Sequence, residues 1–103
     1  MVGFHVTTRW GGDEANPSVE RLREVLAQLD AEDDEHPSVS LTHESEWSLG
    51  AYSDGLLVWE NVEDGEPRHQ LSVSREHILS LWLKLAAGKI DEVEAEPWMP
   101  GYA

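Results

Sequence analysis

The chain contains no cysteine, which excludes a disulfide framework, a thiolate zinc site, an iron–sulfur cluster and a cysteine nucleophile. It is poor in positive charge: 7 Lys and Arg stand against 21 Asp and Glu, for a formal net charge of −14 and a pI near 4.4. Binding to a nucleic-acid backbone needs clustered Lys and Arg to displace counterions, so the composition argues strongly against that function. No stretch approaches the ~18 consecutive apolar residues of a membrane span. The first residues, MVGFHVTTRW, have neither a basic segment nor an apolar one of the kind that opens a secretory signal. A cytoplasmic protein, with nothing removed from its front end, is the expectation. No internal repeat, Gly-x-Ser-x-Gly elbow or glycine-rich phosphate loop is present.

What remains is 103 residues of 40% hydrophobic composition, with five tryptophans. That is one domain's worth of chain, able to fold around a single core without metal or disulfide. We expect one α+β domain over residues 1–103, with residues 94–103 as an extended C-terminal tail. Val2, Phe4 and Val6 alternate with polar or small residues, the period of a half-buried strand ending near Trp10. Asn16-Pro17 is a helix start, and Val19, Leu22, Val25, Leu26 and Leu29 form an apolar stripe that predicts a helix to about Ala31. The acidic run from Asp30 to Glu35 then sits at the unfavourable end of the helix dipole and predicts a loop through Pro37.

Four strands follow by alternation, and Asp54-Gly55 signals a two-residue hairpin turn. Such a turn would pair Tyr52 with Leu57, Gly50 with Trp59 and Trp47 with Val62. Trp47, Leu49, Ala51, Leu56, Val58 and Val62 would then face the core, and Tyr52, Leu57 and Trp59 would face outward. Leu71 and Val73 of the last strand are expected to point inward. Ser74 caps a second helix, with Val73 and Ile78 as a hydrophobic staple, and its broad apolar surface around Trp82 marks it as the centre of the core. Gly88 supplies its stop, and Ile90 and Val93 fold back onto the core. The predicted fold is an antiparallel, mostly meander sheet of about five strands with two helices on one face, in the order β-α-β-β-β-β-α.

Catalytic and metal patterns are incomplete. His43-Glu44-Ser-Glu-Trp47 begins like a zinc-hydrolase helix, but Trp47 stands where the second histidine must be. His5, His36, His43, His69 and His77 have no ligand spacing. Asn61-Val-Glu-Asp-Gly65 lacks the ligand series and distal glutamate of a calcium loop. We expect no metal, no cofactor and no catalysis. Under the predicted register, Glu44, Glu46, Tyr52, Asp54, Trp59, Glu60, Glu63 and Asp64 form an acidic surface around aromatic anchors, a pattern suited to binding a basic protein. A tryptophan that merely shields Gly50 across the hairpin is the structural alternative.

The stretch from Leu71 to Trp98, LSVSREHILSLWLKLAAGKIDEVEAEPW, resembles the C-terminal part of a bacterial immunity-protein family paired with deaminase-type polymorphic toxins. Members of that family end with a strand, a Ser-capped apolar helix, a short turn and a Pro/Trp segment, and the upstream Gly-Leu-Leu-Val-Trp59 is compatible. The resemblance implies a small cytoplasmic protein that neutralises a basic toxin domain, a nucleic-acid-directed deaminase or nuclease, by occluding its active site. Two other readings fit the acidity: a nucleic-acid mimic inhibiting another DNA- or RNA-binding enzyme, and a small enzyme built on carboxylates. The first two predict salt-sensitive binding of a basic protein without membrane or direct nucleic-acid contact; the oligomeric state is left open by all three.

Overall fold

The structure, a computed structural model, describes residues 3–30, 38–63 and 66–101. Its strands are β1 (Phe4–Thr7), β2 (Asp13–Ala15), β3 (Ser38–His43), β4 (Trp47–Tyr52), β5 (Leu57–Asn61), β6 (Arg68–Gln70) and β7 (Met99–Pro100). The helices are α1 (Val19–Ala27), α2 (Arg75–Ala86) and α3 (Ile90–Glu94). All strand pairings are antiparallel, and the sheet order is β2-β1-β3-β4-β5-β6-β7. The α+β class and the antiparallel sheet agree with expectation, but among the described residues there are seven strands rather than five and, with the short α3, three α-helices rather than two. The two additional strands are short edges: β2 lies within a segment read as a break, and β7 lies within the 94–103 segment. Neither is long enough to show a two-residue period, and each gains its ladder hydrogen bonds only from a neighbour elsewhere in the chain.

Helix starts follow cap chemistry. Ser74 caps α2 by accepting from His77 N (3.2 Å), with Val73 and Ile78 both buried around it. Gly88 adopts φ 79° beyond the helix, the left-handed stop its lack of Cβ permits. The first helix departs from expectation at both ends. Ser18, not Asn16, is its cap and accepts from Arg21 N, while Asn16 turns its side chain back to Phe4 N at 3.1 Å. The α-helix stops at Ala27 and tightens into a 3₁₀ turn over Gln28–Asp30; Ala31 lies outside the described residues.

The β4–β5 hairpin overturns the predicted register. Tyr52 N donates to Leu56 O (2.9 Å) and Gly55 N to Tyr52 O (3.1 Å), closing a three-residue loop of Ser53, Asp54 and Gly55 instead of a two-residue turn. Gly55 stands at φ 89°, the left-handed bulge position of that loop. The ladder therefore pairs Ala51 with Leu57, Leu49 with Trp59 and Trp47 with Asn61. A slip of one residue exchanges the two faces of a strand. Leu57 and Trp59, expected outside, are fully buried in the core; Val58 is on the opposite face, and Val62 is 57% exposed. Leu56 is half-buried rather than core, and Leu71, expected inside, is also 57% exposed because β6 ends at Gln70.

One row of the covered face runs Val6, Leu41, Leu49, Trp59, Arg68 across five strands. Against this face pack α2, through Ile78, Leu81, Trp82 and Leu85, and α1, through Leu22, Val25 and Leu26. Trp82 is fully buried, and its indole Nε1 donates to the Leu49 carbonyl at 3.1 Å, joining the helix to the central strand. The other face carries small polar residues, among them Thr7, Ser40, Thr42, Ser48 and Gly50.

Trp82→Ala is expected to destabilise by about 3–5 kcal/mol, since it leaves a large cavity and removes the indole hydrogen bond to the Leu49 carbonyl. Urea unfolding with an unchanged midpoint would contradict the place given to α2.

Candidate functional site

The register brings three loops to one end of the sheet. The β3–β4 loop (44–46), the β5–β6 connection and the start of β1 meet there, because β3 and β5 end where β4 and β6 begin. Val62 N donates to Glu46 O (2.9 Å) and Glu44 N to Gly3 O (2.9 Å), so the loops are tied to one another by backbone. Glu44, Glu46, Glu63 and Glu66 lie at this end, and among the described residues none forms an ion pair with Lys or Arg. Trp47, half-buried, adjoins them, and a groove of about 750 Å³ opens beside it, lined by Asn61, Glu66, Pro67 and Arg68.

The β3–β4 loop repeats the geometry of the β4–β5 hairpin with one difference. Glu46 N donates to His43 O (2.9 Å), and Glu46 occupies the left-handed bulge position at φ 74°. Glycine holds that position in the other hairpin. A side chain with Cβ is disfavoured in this conformation by about 1–2 kcal/mol relative to right-handed backbone, a cost glycine avoids. The loop thus keeps a carboxylate at a position whose backbone favours glycine. Inside the turn, His43 Nδ1 accepts from Ser45 N (3.1 Å) and lies 2.7 Å from Ser45 Oγ, so its Nε2 carries the hydrogen; that Nε2 is buried without a partner.

Beneath the end of the sheet, three indoles stack. Trp47 and Trp59 have ring centroids 4.4 Å apart at 11°, and Trp98 lies on Trp59 at 6.0 Å and 14°. Burying Trp59 requires an acceptor for its N–H, and Glu94 at the end of α3 supplies it at 2.8 Å. Arg68, paired in the ladder with Trp59, donates through both terminal nitrogens to the same carboxylate and lies 5.9 Å from the Trp47 ring. The Arg68 guanidinium holds the Glu94 carboxyl below its ordinary value of 4.5, with the Trp59 hydrogen bond adding to the effect against partial burial. Glu96 is also lowered: burial raises it, but hydrogen bonds from His77 (2.7 Å) and Gln70 (3.3 Å) outweigh that.

The predicted site residues do not stay together. Glu44, Glu46 and Glu63 share the acidic end, and Glu60, in β5, lies on the sheet's polar face beside it. Tyr52 and Asp54 are at the opposite end, where Asp54 Oδ1 accepts from Leu56 N (3.1 Å) and shapes the hairpin loop. Trp59, expected as the central exposed anchor, is fully buried and cannot meet a partner directly. Asp64 lies outside the described residues. Trp47, expected on the core side, packs half-buried against the core and stacks on Trp59, while pattern reading missed Glu66 as a surface group and the Arg68–Glu94 pair altogether. Pro97-Trp98, which follows a short helix, was the available signal that the C-terminal segment returns to the sheet.

Among the described residues, no group of three or more His, Asp or Glu is gathered to hold a metal ion. No helix among them is long and apolar enough to cross a membrane. Comparison with protein-family models, with curated proteins and with solved structures finds no match.

Glu94→Gln is expected to cost about 1–2 kcal/mol at neutral pH, allowing for solvent screening of a pair that is one-third exposed. Because the folded carboxyl titrates below 4.5, its contribution is complete above that value and is lost as pH falls through the lowered one. Urea unfolding of both proteins in parallel should therefore show a difference that shrinks on acidification. A difference that stays constant from pH 7 to pH 3 would contradict the charged pairing.

Proposed function

We propose that the protein is an immunity or antitoxin-like inhibitor, which binds a basic toxin domain stoichiometrically in the cytoplasm and occludes its active site, with no cofactor and no catalysis of its own. The observation that carries this reading is the acidic end of the sheet: Glu44, Glu46, Glu63 and Glu66, with no Lys or Arg ion pair among the described residues, around the half-buried Trp47. The nearby cation, Arg68, is already neutralised by Glu94. A protein-directed surface of one charge sign speeds encounter with the opposite sign and sets orientation, while a ring at its margin supplies contact area that excludes water.

The conformation of Glu46 supports the same reading. Backbone strain persists where the rest of the structure enforces it and tends to collect where a side chain has work to do. The Leu71-to-Trp98 resemblance to toxin-paired immunity proteins adds the class of partner. A toxin acting on nucleic acid presents a cationic groove to its substrate, and carboxylates on rigid hairpin loops fit such a groove in place of phosphates.

Calorimetry against the product of the neighbouring gene should give a one-to-one complex whose affinity falls as salt rises. Absence of binding at low salt would remove the proposal. Reversing two charges, as Glu44→Lys with Glu46→Lys, should weaken the complex by about tenfold or more while leaving the fold intact. Glu46→Gly separates the two roles of that residue. It should raise thermal stability by about 1 kcal/mol, since the left-handed strain is relieved, yet weaken the complex. A glycine variant that binds as tightly as the parent would show that the carboxylate has no part in recognition.

A further inference from the structure

Positive charge is scarce in this protein, and more than half of it collects on one groove. Arg23 of α1, Arg75 and Lys84 of α2, and Lys89 just after it account for four of the seven Lys and Arg. They border two adjoining depressions of about 520 and 220 Å³, which share Arg23, Glu76 and Leu79 and lie along the seam of the two helices.

With three carboxylates for every base, each cation has ample opportunity to find an internal partner. Among the described residues, Arg23 and Lys84 nevertheless form no ion pair, although Lys84 is near enough to Glu96 to act on it electrostatically. Arg75 reaches Asp30 only at 3.4 Å, and its Nε is buried without a hydrogen bond. Lys89 and Glu92 are 3.8 Å apart on side chains more than half exposed. Between these groups the floor is apolar, with Leu79 buried, Leu83 half-buried one turn on and Ala87 exposed another turn on, while the carboxylates of Glu76 and Asp30 stand at its edge. An i, i+4 ridge of this kind is the surface on which a second helix packs, and the small side chains of Ser80 and Ala87 leave room for close approach.

We propose that the α1–α2 groove docks an amphipathic acidic helix of a partner protein, with its apolar side on Leu79 and Leu83 and its carboxylates at Arg23, Arg75 and Lys84. Charge complementarity selects this occupant. α2 spans about 18 Å, which matches a three-turn partner helix laid along it. A bilayer is flat and cannot reach leucines on the floor of a recess. A nucleic acid or an anionic membrane carries charge far beyond the groove and meets the remaining surface of a −14 protein. A single helix with three or four carboxylates meets mainly the cations within a Debye length, about 8 Å in physiological salt. This surface is separate from the acidic end of the sheet, and its occupancy does not depend on the inhibitor reading.

The test is a titration of the isotope-labelled full chain, followed by amide chemical shifts, with an acetylated 16-residue peptide carrying leucines at positions i, i+3, i+4 and i+7 flanked by glutamates. Shifts should gather at Arg23, Leu79, Ser80, Lys84 and Ala87, and Arg23→Gln with Lys84→Gln should weaken binding about tenfold with an unchanged melting temperature. If that variant melts early, the single Arg23→Gln and Lys84→Gln variants take its place, each expected to weaken binding about threefold. Three outcomes overturn the proposal: no shift change at millimolar peptide, equal binding of a peptide with glutamine in place of glutamate, or shifts lying outside the groove. Charge-dependent capture of the protein by phosphatidylglycerol vesicles, without peptide binding, overturns it in favour of a lipid surface. Loss of toxin binding with the groove result intact would strike only the inhibitor reading.

Discussion

The burial of one indole organises the working end of this molecule. Trp59 sits on a central strand with its ring stacked on Trp47 and Trp98 and its N–H directed to the half-buried Glu94 carboxylate. An indole N–H buried without an acceptor is costly, so the arrangement depends on Glu94, and a carboxylate in that position depends in turn on Arg68. The chain after α2 is held by the same chemistry. α3 must end where Glu94 reaches Trp59, and Trp98 must return to stack, its own Nε1 donating to Val93 O at 2.8 Å. Met99 and Pro100 then extend the sheet. The Glu94 carboxylate, together with the Gln70–Glu96 hydrogen bond and the β6–β7 ladder, thus connects the C-terminal segment to the strands below the acidic loops.

Charge is distributed with the layers. Carboxylates without basic partners project from loops at one end of the sheet, whereas most of the cations border the seam between the two helices. Both surfaces rest on the same sheet, and each retains groups that the described residues leave unpaired or strained. Glu46 on left-handed backbone and Arg75 with a buried unbonded nitrogen are the particular instances. In an isolated fold both features weaken stability, which is why they direct attention to partners rather than to packing.

Much of the fold was legible in local pattern. The Ser74 cap, the staple of Val73 and Ile78, the Gly88 stop and the broad apolar surface of α2 each report short-range chemistry, and each stands in the structure where the residues imply. The candidate site was less legible. Its placement relied on hairpin register, and Asp54-Gly55 is compatible with loops of two or three residues. The decision lies in what surrounds Gly55: a Cβ there would stand 3.1 Å from Ser72 Cα, and Gly55 O accepts from Val73 N at 2.9 Å. Contact with the chain entering α2 accompanies the wider loop, and the wider loop turns Trp59 inward.

Composition and periodicity by themselves determined the α+β class, the antiparallel sheet, the caps of α2 and the large acid excess, since each follows from side-chain chemistry over a few neighbouring residues or from a simple sum. Tertiary structure alone decided which face of β5 is buried, which carboxylates share one end of the sheet, and that scarce cations meet along α1 and α2. Those outcomes depend on contacts between segments far apart in the chain. A one-residue change in a loop reverses a strand's faces without altering its local pattern at all.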